Sequence, residues 1–173
     1  PGTDAVLPTG PPNLRFKAAD NNTIDTNNPL TIPGAGNYHS RWKHIYLKCT
    51  AINDATTIDN VKFYTATPSW GTGITVYAGN QTPVKNSGAS TGYEVADTDD
   101  EDMVTGHSGI SAQTDVASLT SGSPLTVSIS ESGSAIDATD EMTNYVVLQM
   151  DVASTAAPGD KSNETLTFQY DEV

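Results

Sequence analysis

Apolar and polar residues alternate along much of the chain with a period of two, and helical periodicity is nearly absent. Between residues 41 and 50, for example, Ile45, Leu47 and Cys49 alternate with polar or charged neighbours. Successive side chains of a β-strand point to opposite faces, so this pattern predicts a strand with one buried face. The same alternation predicts strands near residues 14–16, 30–32, 58–65, 74–78, 125–129, 146–152 and 166–170.

These segments predict an all-β fold with about eight strands, which suits an antiparallel two-sheet sandwich of jelly-roll-like type. The immunoglobulin-like alternative lacks the core disulfide of antibody domains, because Cys49 is the only cysteine in the chain. Its place in the alternation predicts that Cys49 is a small core residue. Only a turn-rich stretch separates the strands at 41–50 and 58–65, so we expect these two strands to pair with each other.

The length of 173 residues fits one compact domain better than two. Residues 1–12 contain four prolines, which predicts an extended arm, and residues 13–173 form the β-sandwich domain. Val6 and Leu7 are the apolar anchors with which this arm would contact a neighbouring subunit; the alternative is an arm free in solvent. Between about 79 and 120 the alternation is lost, which predicts a long polar insert.

The formal net charge is −13, and this acidity argues against nucleic-acid partners and anionic membrane surfaces. The longest apolar stretch, residues 145–148, is far too short for membrane insertion. Residues 1–62 carry six basic and five acidic residues, whereas residues 63–173 carry two and sixteen. This asymmetry either orients subunits in an assembly or is simply a solvated acidic surface.

The strongest local signal is a run of carboxylates preceded by Glu94. Carboxylate oxygens are the ligands that Ca²⁺ prefers, so the run is a candidate calcium site, with a solvated acidic loop as the alternative. It is not an EF-hand, because Asp102 and Ser108 occupy the positions of the required Gly and Glu. The candidate calcium ligands are Asp97, Asp99, Asp100 and Asp102. No other cofactor is predicted.

A second acidic group, Asp137, Asp140 and Glu141, is interpreted as turn chemistry before a strand. Three sequons make candidate glycosylation sites of Asn21, Asn80 and Asn163.

No catalytic residues are predicted, and we do not expect an enzyme. The histidines, His39, His44 and His107, have no spacing that would place two imidazoles on one helix face for zinc. Residues 106–110 break the spacing of a nucleophile elbow, and Ser108 is therefore expected in a turn.

Two groups of segments together carry a resemblance to known proteins. The first is residues 37–48 with 58–64, and the second is residues 145–150 with 157–159 and 168–172. Together they resemble a loose group of β-sandwich structural proteins found in the virions of tailed phages. The resemblance implies a non-enzymatic subunit at the particle surface or tail. Its partners would then be copies of itself and other structural proteins of an extracellular assembly.

A competing resemblance is to the jelly-roll subunits of secreted bacterial and archaeal filaments, which polymerise when a terminal segment completes the sheet of the next copy. Three prolines of the arm argue against this alternative, because proline has no backbone N–H to donate to a neighbouring strand. They are Pro8, Pro11 and Pro12. A further alternative is a monomeric carbohydrate-binding module that uses Trp42 or Trp70 as a stacking platform.

Overall fold

The computed structural model describes residues 14–20, 29–52, 57–83, 94–129 and 134–173. Within them the protein is an antiparallel two-sheet β-sandwich, which confirms the predicted fold class. The strands are β1 (Asn37–His39), β2 (Lys43–Ile45), β3 (Ile58–Thr65), β4 (Ile74–Gln81), β5 (Ile110–Asp115), β6 (Leu125–Thr126), β7 (Tyr145–Ala153) and β8 (Leu166–Glu172). Helical structure in the described residues is limited to one 3₁₀ turn, Val116–Ser118, and no helix there could span a membrane.

The five-stranded sheet is built around β7, which pairs with β4 on one side and with β1 and β2 in succession on the other. β5 continues the sheet beyond β4. Along β7 the side chains alternate as predicted: Leu148 and Val152 face the main core, whereas Val147 belongs to a second, smaller cluster. The central strand is therefore covered on both faces.

The three-stranded sheet has the order β6-β3-β8. Its inner face contributes Val61 and Phe63, and the Phe63 ring lies 5.2 Å from that of Phe168. Cys49 is buried in the main core, as predicted. The core between the sheets draws on alternating positions of both sheets, which is the arrangement that a period-two pattern produces.

The expected pairing of residues 41–50 with 58–65 is wrong. β2 pairs with β7 in one sheet and β3 pairs with β6 and β8 in the other, so the chain crosses the sandwich between them. Cys49 donates its backbone N–H to the Glu141 carbonyl on the way. Apolar alternation identifies a strand and its buried face, but both sheets bury their faces against the same core and the pattern cannot choose between them.

Two further expectations differ from the structure. Residues 14–16 and 30–32 are not strands, although Leu14, Phe16 and Leu30 pack against the main core. The predicted polar insert at 79–120 contains the end of β4, all of β5 and the 3₁₀ turn. The proposed arm at 1–12, with Val6 and Leu7, lies outside the described residues.

Candidate functional site

The candidate site is the acidic loop, residues 94–109, which lies over the outer face of the five-stranded sheet. Its buried side chain is Met103, which packs with Trp42, Ile110 and Val147 in the second apolar cluster. The carboxylates that the sequence singled out therefore belong to a segment fastened to the sandwich by its own small core.

Three of the four predicted calcium ligands accept hydrogen bonds from the protein itself. Asp99 accepts the Tyr38 hydroxyl at 2.7 Å, and Asp100 accepts both the backbone N–H and Nδ1 of His39 at 2.7 and 2.9 Å. Asp102 accepts the Val104 N–H and the Thr105 hydroxyl at 2.8 and 2.7 Å.

These side chains reach different neighbours and do not converge on one point. Among the residues that the structure describes, no group of three or more His, Cys, Asp or Glu side chains is arranged to hold a metal ion. Asp97 contributes its backbone N–H to the same loop, donating to Glu101 Oε2 at 2.6 Å. Calcium binding stays a prediction.

The start of the acidic run is a turn closed by Glu101, whose Oε2 accepts the N–H groups of Asp97 and Thr98 at 2.6 and 3.0 Å. The same turn recurs at residues 137–141, where Glu141 Oε2 accepts the N–H groups of Asp137 and Ala138 at 2.8 and 3.0 Å. In both turns the residue before the glutamate is an aspartate with positive φ, 61° at Asp100 and 75° at Asp140.

The two turns share a spacing, Asp-x-x-Asp-Glu, that was visible in the sequence. The interpretation of residues 137–141 as turn chemistry is therefore confirmed. The same chemistry explains why carboxylates accumulate at 97–101, because aspartate tolerates the left-handed conformation and glutamate satisfies two exposed N–H groups.

Gln149, on β7, anchors the acidic loop from beneath. Its side chain is fully buried; Nε2 donates to the carbonyls of Ser40 and Glu101 at 2.8 and 2.6 Å, and Oε1 accepts the Met103 N–H at 2.8 Å. Trp42 Nε1 donates to the same Glu101 carbonyl at 3.0 Å. One buried amide thus satisfies groups on two separate segments, which the sequence pattern did not indicate.

Two histidines each lie between two carboxylates. His107 places Nδ1 2.9 Å from Glu94 Oε2 and Nε2 3.2 Å from Glu101 Oε1. Its ring also meets the Trp42 ring edge-on at 4.6 Å. Carboxylate oxygens only accept hydrogen bonds, so a ring nitrogen of His107 that carries a proton donates to the carboxylate beside it.

His39 joins the acidic loop to β7 in the same manner. Its Nδ1 lies 2.9 Å from Asp100 and its Nε2 lies 3.6 Å from Asp151. Asp151 is only 6% exposed, and burial raises its pKa to about 6 against the opposing influence of His39. Burial together with the Asp99 hydrogen bond raises the pKa of Tyr38 to about 12, so this phenol remains a donor.

His44 holds the beginning of the acidic loop. Its Nε2 lies 3.1 Å from the Glu94 carbonyl and 3.0 Å from Gln81 Oε1, which places the proton on Nε2. Burial lowers the pKa of this imidazole, so it is neutral at pH 7. Ser108 lies in a turn, as expected, where the Ile110 N–H donates to the His107 carbonyl.

The candidate glycosylation sites and the two tryptophans differ in how exposed they are. Asn80 directs its Nδ2 to the Thr126 carbonyl at 2.5 Å, so in the folded domain this amide is engaged. Asn163 is exposed, and Asn21 lies outside the described residues. Trp42 is buried, and Trp70 is partly buried against the main core.

Several basic residues of the first third of the chain are buried or have polar partners. Lys17 and Lys43 are buried, Lys48 pairs with Asp140 at 2.8 Å, and Arg41 donates to the Ala96 carbonyl at 3.1 Å. Arg15 is exposed, so only part of this basic set is used within the fold, and both interpretations of the charge asymmetry stay predictions.

Comparison of the chain with protein-family models, curated proteins and solved structures gives no match.

Proposed function

We propose that the protein is a non-enzymatic structural subunit of an extracellular assembly, of the kind that forms the surface or tail of a phage particle. The observation that carries the proposal is the outer edge of β8, which is a free edge as far as the described residues go. β8 pairs with β3 on one side, and no other described strand pairs with its opposite edge. A free edge presents unpaired N–H and C=O groups that another chain can complete.

β8 lacks several of the features that usually protect an edge strand from pairing, although Asp171 and Glu172 place two charges near its C-terminal end. Its seven residues include neither proline nor lysine, and Tyr170 is 43% exposed. The pairing of β3 with β8 contains a bulge, but the extra residue falls on β3, between Asp59 and Lys62. β8 itself therefore contains no inserted residue, although Tyr170 has no directly opposite residue on β3.

The other edges of the described sheets are shorter or interrupted. β5 has an irregularity opposite Gly79, with Ala112 at a φ of 54°. β6 has two residues. The β1 and β2 edge is broken between the strands, where Arg41 donates its N–H to the Lys17 carbonyl. β8 is thus the edge best suited to pair with another chain.

A carbohydrate-binding function has less support. A stacking platform for sugars needs an exposed aromatic face, whereas Trp42 is buried under the acidic loop with its Nε1 hydrogen-bonded. Trp70 packs partly against the main core. The structural subunit therefore remains the better-supported function.

The test is the mass of the purified protein in solution by light scattering over a hundredfold range of concentration. A closed oligomer supports a particle subunit, and open-ended growth supports the filament alternative. A strict monomer at every concentration would overturn the proposal.

Tyr170→Lys is expected to weaken association about tenfold, because it places a charge on the free edge. Val104→Lys is the matched control, since Val104 is 41% exposed but lies on the acidic loop, and its association should match that of the wild type.

A further inference from the structure

We infer that a second copy of this chain pairs with the free edge of β8, antiparallel to it and about a two-fold axis at Gln169. The inference rests on the proposed function, and it identifies the partner and the register of the interface. It follows from the order of residues along β8 and from the faces that they occupy.

The two faces of β8 have different chemistry. Leu166 and Phe168 point toward the main core, and the alternation places Tyr170 on that same face. Thr167, Gln169 and Asp171 occupy the outer face, where Asp171 accepts Asn60 Nδ2 at 2.6 Å. A partner strand must keep inner residues opposite inner residues, because a slip of one position would exchange the faces.

Among the registers that meet this condition, pairing about Gln169 is the one that uses all seven residues of β8. Leu166 then lies opposite Glu172, Thr167 opposite Asp171, and Phe168 opposite Tyr170. Shifting the partner so that Asp171 or Glu172 faces its own copy would oppose like charges directly, which is destabilising.

Two properties of this register favour association. Each interface contains two Phe168–Tyr170 cross-strand pairs, and aromatic pairs of this kind stabilise antiparallel pairing. The two Asp171 carboxylates stand at opposite ends of the ladder, four residues apart along the strand direction. At about 3.4 Å per residue this separation exceeds the Debye length at physiological salt.

Such a pair would join the two three-stranded sheets into one continuous six-stranded sheet across the two-fold axis. The contact is isologous and closes on itself, so β8 alone produces a dimer and not an open chain. Larger assemblies would then be built from dimers through other surfaces.

Disulfide cross-linking between the two β8 strands tests which residues lie opposite each other. Directly opposite residues of an antiparallel pair have Cα atoms about 4.5 to 5.5 Å apart, within the range that a disulfide spans. Gln169→Cys should therefore give a covalent dimer under mild oxidation with oxidised glutathione. Thr167→Cys and Asp171→Cys alone should give at least tenfold less, whereas the double variant should again cross-link. Cys49 is buried, and the wild type reports its background.

A charge test provides a second measurement in the same register. Gln169→Lys places two lysines opposite each other and should weaken dimerisation at least tenfold. Thr167→Lys adds the same charge to the same face but opposite Asp171, and it should preserve or strengthen the dimer.

The outcomes separate this inference from the proposed function. If the wild type associates but Gln169→Cys cross-links no better than the single controls, the interface lies elsewhere and the inference falls while the proposed function stands. Equal weakening by both lysine variants would also overturn the register. A wild type that stays monomeric, with no preferential cross-link, would overturn both.

Discussion

Gln149 Oε1 accepts the Met103 backbone N–H at 2.8 Å, and this hydrogen bond joins the acidic loop to the middle of β7. Gln149→Leu removes this acceptor and the two hydrogen bonds donated by Nε2, so the Met103 N–H and the Ser40 carbonyl lose a buried partner, whereas the Glu101 carbonyl keeps Trp42 Nε1. We expect a loss of about 2 to 4 kcal/mol in the free energy of unfolding. Urea denaturation measures the loss, and hydrogen exchange should locate the weakened amides in residues 94–109. Unchanged exchange there would contradict the anchoring role.

The two glutamate turns predict matched effects. Glu141→Ala removes the acceptor of two N–H groups and should lower the free energy of unfolding by about 1 to 2 kcal/mol. Glu101→Ala should lower it by at least about 1 to 2 kcal/mol, because it removes the corresponding acceptor and also the oxygen that faces His107 Nε2 at 3.2 Å. Glu172→Ala is the control at an exposed position, with an expected change below about 0.5 kcal/mol. Equal stability of all three variants would count against the shared turn geometry.

The buried carboxyl of Asp151 predicts a pH-dependent stability. Its pKa is raised from 3.8 to about 6 by burial, so the folded state favours the protonated form. Ionisation then lowers stability as the pH rises from about 4 to 6, and above pH 6 the full penalty, up to about 3 kcal/mol, is present.

Asp151→Asn should therefore stabilise the protein above pH 6, with a gain that shrinks toward zero near pH 4. Denaturation curves across this range provide the measurement. If the stability gain of Asp151→Asn over the wild type increased as the pH fell, the raised pKa of Asp151 would be contradicted.

Gly73 illustrates a position where only glycine fits. Its φ is 71°, and a Cβ atom there would lie 2.6 to 2.9 Å from backbone atoms of Thr155 and Ala156. Gly73→Ala should cost at least about 2 kcal/mol, because neither the conformation nor the neighbouring backbone can adjust cheaply. Gly34→Ala, where no atom lies within 4 Å, should be within about 0.5 kcal/mol of the wild type. Thermal unfolding of the pair measures the difference.

Calcium dependence can be tested separately. Asp99, Asp100 and Asp102 already accept hydrogen bonds from Tyr38, His39 and Thr105, among other donors. Calcium would have to compete with these hydrogen bonds. An ion bound only to the native state must raise the melting temperature, so an upward shift with excess calcium would support the predicted site, and the same melting temperature with calcium and with chelator would remove it.

The sequence by itself determined six of the eight strands, β2, β3, β4, β6, β7 and β8, and their buried faces, whereas β1 and β5 were not predicted. The alternation around Cys49, Val61 and Phe63 and along β7 correctly identified core positions, because a side-chain period of two is a local property of an extended chain. The turn at residues 137–141 was also readable, since aspartate and glutamate satisfy backbone groups within a few residues of themselves.

Only the tertiary structure decided which strands pair and what the acidic run does. The pairing of β2 with β7 joins residues about a hundred positions apart, and a hydrophobic pattern carries no information about that choice. Gln149 looks like a solvent-facing polar position in the alternation, and it is buried only because residues 94–109 fold back over its face of the sheet. Long-range contacts of this kind assign the histidines and carboxylates their partners, so their roles depend on the fold.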